Sequence, residues 1–161
     1  MILASNGIIA SSIQSAAALL LDTYTGAAAA YSVRKLRTAY AGSAIRVRRS
    51  SDNAEQDIGF SGGNLDTSAL TTFCSGTDGF VTTWYDQSGN AQNATQTSAT
   101  AQPQIVSSGS VLTQNSKPTI KYDGTNDFLS GSAISNFVTA STFSNIAVFN
   151  PISLATNTAD M

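Results

Sequence analysis

Histidine is absent from the 161 residues. That removes the commonest general base near neutral pH and the commonest transition-metal ligand. A single cysteine, Cys74, excludes an internal disulfide, and it is read as a free, buried small hydrophobe. Glutamate occurs only once, at Glu55, and charged residues make up 11 % of the chain. The net charge of −2 gives no global drive toward nucleic acid or a membrane. No apolar window approaches the ~20 residues of a membrane-spanning helix. Met1 to Gln14 lacks the basic start of a secretory signal.

Ser, Thr, Ala, Asn and Gln take the place of charge. With hydrophobic residues at 42 %, the chain is too apolar for general disorder. Its size fits one domain, or one domain and an anchor. Residues 1–22 are expected to be an anchoring arm, and 23–161 a β-sandwich domain. Gly26 to Tyr40 has apolar residues at helical spacing and is expected to be a helix. From Ala44 to Arg49 the period changes to two, as in a half-buried strand, and Asp57 to Phe60 is its short partner beyond a turn. Asp66 is placed to cap a helix over 67–73. Beyond it the expected strands are 80–85, 94–96, 104–106, 119–122, 128–129 and 145–149. Asp123 to Asp127 is expected to be a hairpin between two of them. Pro103 and Pro118 are expected at strand starts. Short strands at this spacing argue a sandwich. The strands are too few for a whole concanavalin-type domain, so either other subunits supply the partner strands or, the favoured expectation, the residues are the N-terminal part of a longer domain.

The chemistry is sparse. Six of the eight basic residues are Arg34, Lys35, Arg37, Arg46, Arg48 and Arg49. Asp52, Glu55 and Asp57 follow them closely, so ion pairing across the hairpin is the expected use. Asp123, Asn126 and Asp127 offer oxygens in one loop, too few for a calcium shell. No metal and no cofactor is expected. Glycoside hydrolysis needs two carboxyl groups facing one bond. Asp86 is the best-placed carboxylate, but its surroundings read as a turn. In Trp84-Tyr85-Asp86-Gln87-Ser88-Gly89-Asn90 the strand ends where Gly89 and Asn90 tolerate positive φ and Asp86 and Ser88 bond nearby backbone. Asp86, Ser88, Gly89 and Asn90 are therefore turn residues. Trp84, Tyr85, Asp86 and Asn90 are the candidate glycan contacts. Trp84 and Tyr85 alternate, so one faces the core and the other is free to stack on a sugar.

Two segments carry a resemblance. Arg34, Leu36, Tyr40, Gly42, Val47, Arg49, Ser51 and Asp52 form the first, and Phe73-Cys74 with Tyr85 to Asn90 the second. Both resemble the N-terminal third of the fungal-type α-L-arabinofuranosidase B catalytic domain, a concanavalin A-like jelly-roll sandwich. That likeness implies a cysteine partner five residues beyond Cys74, where this chain has Gly79. It also implies that the catalytic acid and nucleophile lie downstream of the matched segments. The same segments resemble bacteriophage virion proteins, over a longer stretch from about Leu19 to Asp127. The expectation drawn from this is a mainly β, non-enzymatic virion structural protein, a fibre, tail or capsid-associated component. It would sit on capsid, portal or tail through residues 1–22, form a homo-oligomer such as a trimer, and bind host glycans, with no nucleic acid or membrane partner. Its expected location is the virion, assembled in the bacterial cytoplasm. The alternative is a glycoside hydrolase module cut short of its catalytic residues, or a free carbohydrate-binding module.

Overall fold

The computed structural model describes residues 18–131 and 144–151. Most of the expected arm, residues 1–17, lies outside them. The described part begins with a one-turn helix, α1 (Leu20–Thr23), followed by irregular chain to Ser43. Strand β1 (Ile45–Arg49) then pairs antiparallel with β2 (Glu55–Ile58) through the expected turn. A small ladder follows, β3 (Phe60–Ser61) with β4 (Asn64–Leu65), and then helix α2 (Thr67–Phe73). The remaining strands are β5 (Gly79–Trp84), β6 (Ala94–Thr95), β7 (Gln104–Ser107), β8 (Ser110–Val111), β9 (Thr113–Gln114), β10 (Lys117–Pro118) and β11 (Ser130–Gly131).

The main sheet runs β11-β6-β5-β1-β2, and β7 with β8 joins it along the first half of β5. It is a mainly β, curled antiparallel sheet, consistent with a β-sandwich. Alternation decides its faces. Ile45 and Val47 are fully buried while Arg46 and Arg48 point the other way. Val81, Ile105, Val106, Ile58, Leu70 and Cys74 complete the core. Helix α2 covers it with Leu70 and starts as expected, because the Asp66 carboxylate accepts from Ala69 N at 2.9 Å. Asp66→Ala should cost about 1 kcal/mol, read as a lower urea midpoint at unchanged slope.

A β-bulge changes the outer half of β5. Arg46 lies opposite Thr83 and Val47 opposite Val81, so Thr82 is the extra residue. Without it, alternation from the buried Val81 would turn Trp84 outward and Tyr85 inward. The bulge reverses both, and Trp84 joins the core side beside Ile45.

Several expectations are corrected. Residues 26–40 are not a helix but an extended strap, whose single β-bridge among the described residues joins Arg34 to Asn64. Residues 119–122 form only an isolated bridge, Lys121 to Gln104. The Asp123–Asp127 loop is not a hairpin, since Lys121 goes to β7 and Ser130 to β6. Asp123 closes it instead, its Oδ1 accepting from Thr125 N and Asn126 N at 2.8 and 3.1 Å. Finally, 145–149 makes no strand, and Ile146, Val148 and Phe149 are almost fully exposed because no described strand lies beside them. Residues 128–129 are not a strand either, since β11 begins at Ser130. Pro103 precedes β7 as expected, whereas Pro118 ends β10 rather than starting a strand.

Candidate functional site

The turn after β5 is the most densely bonded place in the chain. Asp86 is 4 % exposed. Its Oδ1 accepts from Ala30 N and Ser88 N, both at 2.8 Å. Its Oδ2 accepts from Ser88 Oγ at 2.6 Å and Gln92 N at 3.0 Å. Burial pushes the Asp86 carboxyl up, but the bonds from Ser88, Ala30 and Gln92 together outweigh it and hold the group below the usual carboxylate range. Its charge is thus stabilised by N–H and O–H dipoles, without an ion-pair partner among the described residues.

Gln87 is fully buried and acts as a stretch of strand partner for the strap. Its Oε1 accepts from Leu36 N at 2.8 Å, and its Nε2 donates to Ser32 O at 2.8 Å and Arg34 O at 3.0 Å. Its backbone N–H donates to Ala30 O. Asn90 Nδ2 donates to Ala27 O and Ala28 O, both at 3.0 Å. Arg37 Nη1 donates to Ser88 O at 3.0 Å while crossing Gly89, where a Cβ would stand 2.6 Å from that nitrogen. Gly89 holds φ +99°, a conformation that calls for glycine, while the Arg37 side chain is free to shift. These bonds explain why the Ala-rich strap is not a helix. Its backbone groups are taken one by one by side chains from 86–90, and the tertiary bonds outweigh a weak local propensity.

The structure therefore joins Asp86, Ser88, Gly89 and Asn90 in one clamp and separates the two aromatics from it. Trp84 faces the core, 5.9 Å from the Tyr31 ring, with its Nε1 buried and unpartnered among the described residues. The Tyr31 hydroxyl donates to Gln92 O. Tyr85 faces outward, and its hydroxyl donates to Asp57 Oδ1 at 2.8 Å. There it meets the expected cross-hairpin ion pairs: Arg46 Nε to Glu55 Oε2 at 2.6 Å, and Arg46 Nη1 to Asp57 Oδ1 at 3.1 Å. Arg49 pairs with Asp52, whose carboxyl is held at about 2, first by the Arg49 guanidinium and then by Ala54 N. Arg48 lies over the Phe80 ring and bonds Gln102. Sequence reasoning did not assign Gln87 a role; its signal was a polar amide in the turn that follows β5.

No pair of free carboxyl groups faces a common space among the described residues. Asp22 is bonded to Thr38, Asp66 caps α2, Asp78 holds Ser108 N, and Asp127 holds Asp123 N. No group of three or more acidic or cysteine side chains that could hold a metal occurs among the described residues either.

Comparison with known proteins is specific. A family model described as "Alpha-L-arabinofuranosidase B, catalytic" matches residues 20–138. The chain is 40 % identical over 71 residues to probable alpha-L-arabinofuranosidase B of Aspergillus fumigatus, and equally so to that of Aspergillus terreus. Each match covers 43 % of this chain and 14 % of the relative, so the chain spans only a small part of their length. Two solved structures are similar at 36 % identity and a TM-score of 0.43, covering 48 % of this chain and 17 % of theirs. They are an arabinofuranosidase complexed with arabinofuranosyl-α-1,2-xylobiose and a GH54 α-L-arabinofuranosidase soaked with a cyclic sulfate inhibitor.

These findings correct the functional expectation. The virion structural protein is overturned by a family match that takes in both resembling segments and by fungal relatives named as glycosidases. The matched relatives are enzymes by name, which conflicts with the non-enzymatic expectation, although each match covers only 43 % of this chain. The extended strap, the clamp that holds it and the curled sheet all lie within residues 20–138, and over that span this chain belongs to the α-L-arabinofuranosidase B catalytic-domain family.

Proposed function

We propose that the chain is part of a glycoside hydrolase acting on α-L-arabinofuranosides. The match of residues 20–138 to the family's catalytic domain carries this reading. Within it, the described residues act as scaffold. Asp86 is buried and fully bonded, so it neither donates a proton nor attacks a sugar carbon. Glu55 and Asp57 are both held by Arg46. A glycosidase requires one carboxyl group kept protonated and a second kept free. That pair comes from outside the described residues, and the sheet and its clamped strap supply the framework on which it is mounted.

The test is hydrolysis of 4-nitrophenyl α-L-arabinofuranoside by the whole polypeptide that carries this sequence. Release of nitrophenol, with the α-L-arabinofuranoside preferred over the β-D-xyloside, is the expected result. A folded polypeptide that leaves the substrate intact while a fungal relative cleaves it in parallel would defeat the reading.

A further inference from the structure

The outward face of the main sheet carries an unbroken polar row. Asp57, Arg46, Thr83 and Thr95 stand directly opposite one another on β2, β1, β5 and β6. Cross-strand partners share a face, and the row continues to β11, so it spans about 19 Å at the usual strand spacing. Tyr85 stands beside it because the Thr82 bulge turns that ring outward.

The charged end of the row is fixed by its own bonds yet remains open. The side chains of Arg46, Glu55 and Asp57 are 39, 37 and 44 % exposed. Arg46 Nη2, Glu55 Oε1 and Asp57 Oδ2 make no hydrogen bond among the described residues. A donor thus stands between two acceptors, each anchored through its other atoms, next to an aromatic ring. Covering these charges with an apolar protein layer would cost their desolvation. Because the arginine is answered by two carboxylates, a polyanion such as nucleic acid gains nothing here. What suits paired charges with free donors and acceptors is a neutral ligand rich in hydroxyl groups, which offers both.

The geometry points to this face as a platform for a neutral pentose oligosaccharide, with Tyr85 stacking on one sugar ring and Arg46, Glu55 and Asp57 holding the hydroxyls of the next. It rests on the glycosidase reading for the choice of pentose. Amide NMR titration of the 161-residue chain with arabinotetraose tests it, with maltotetraose as the comparison. Expected are shifts confined to residues 46–48, 55–57, 83–85 and 95, and a Kd raised about tenfold in Tyr85→Ala, as loss of one stacked ring implies. Glu55→Gln, which leaves the sheet's apolar face untouched, should weaken binding by a smaller factor and serves if Tyr85→Ala does not fold. No shifts at millimolar arabinotetraose, shifts centred on the strap, equal response to maltotetraose, or unchanged affinity in a folded variant would each overturn the platform. Binding of the tetraose by the chain, with no cleavage of the aryl arabinofuranoside by the whole polypeptide that carries it, would sink the hydrolase reading alone. Cleavage without binding would sink the platform alone.

Discussion

Asp86→Ala should be among the most damaging single substitutions in this chain, lowering stability by about 3–4 kcal/mol. The carboxylate receives the backbone N–H of distant Ala30, that of nearby Gln92, and both bonds of Ser88. Removing it strands those donors in a place already closed to water, and an unmet buried donor costs about 1–3 kcal/mol. Asp86→Asn keeps the shape but turns an amide N–H₂ toward donors on one side, so it should recover only part of the loss. Thermal unfolding reads the effect as a drop on the order of 10 °C, and hydrogen exchange should show amides 30 and 36 unprotected before those of β1. A variant within about 0.5 kcal/mol of the parent would mean the clamp does not hold the strap.

The same carboxylate sets an acid limit. Its folded value lies below the ordinary 3.8. A group depressed by folding contributes stability that is complete above its unfolded value and is lost as pH falls through the folded one. The parent should therefore weaken progressively below about pH 4. Asp86→Asn, which has no such proton to bind, should show a shallower slope over the same window.

Gly79 offers the second large effect, and its sign depends on the substituent. A Cβ at this position would stand 2.8 Å from Cys74 Sγ and 3.1 Å from both Val106 Cβ and Val47 Cγ1. Gly79→Ala forces an overpacked core and should cost about 1–3 kcal/mol. Gly79→Cys meets the same sulfur at close to the roughly 3 Å that a disulfide requires between one Cβ and the opposite sulfur. The oxidised variant should be about 2 kcal/mol more stable than its own reduced form, for a closed loop this short. Burial pushes the Cys74 thiol up, so the bond should form slowly near neutral pH and faster in mild alkali. Thiol titration after oxidation decides it: two free thiols in the folded variant would show that the backbone cannot accept the bridge. Position 79 is also where the family likeness places a cysteine, and here Cys74, Val106 and Val47 close in on that position instead.

The features legible beforehand were those whose causes are local. Alternating Ile45-Arg46-Val47-Arg48 announces a strand with one buried face, and Glu55 and Asp57 opposite it announce the ion pairs. Asp66 three residues before Ala69 announces the helix cap. The strap was misread because the groups that extend it, Asp86, Gln87 and Asn90, lie 51 to 63 residues away. Its alanines state only a preference. The bulge at Thr82 was equally hidden, for nothing in Val81-Thr82-Thr83-Trp84 marks which residue is the extra one. At the candidate site, the bonds between Asp86 and Ser88 were readable from the turn residues. The larger set, reaching across to 27–36, depends on a topology that the local pattern does not state.

The span between strap and clamp also sets an order of events during synthesis. Residues 27–36 leave the ribosome some fifty to sixty residues before the side chains that bind them. At ordinary elongation rates that is a wait of about 3–12 s. For that interval the alanine run lacks the side-chain bonds that hold it extended in the fold. Its extended form thus depends on residues made later, Asp86, Gln87 and Asn90.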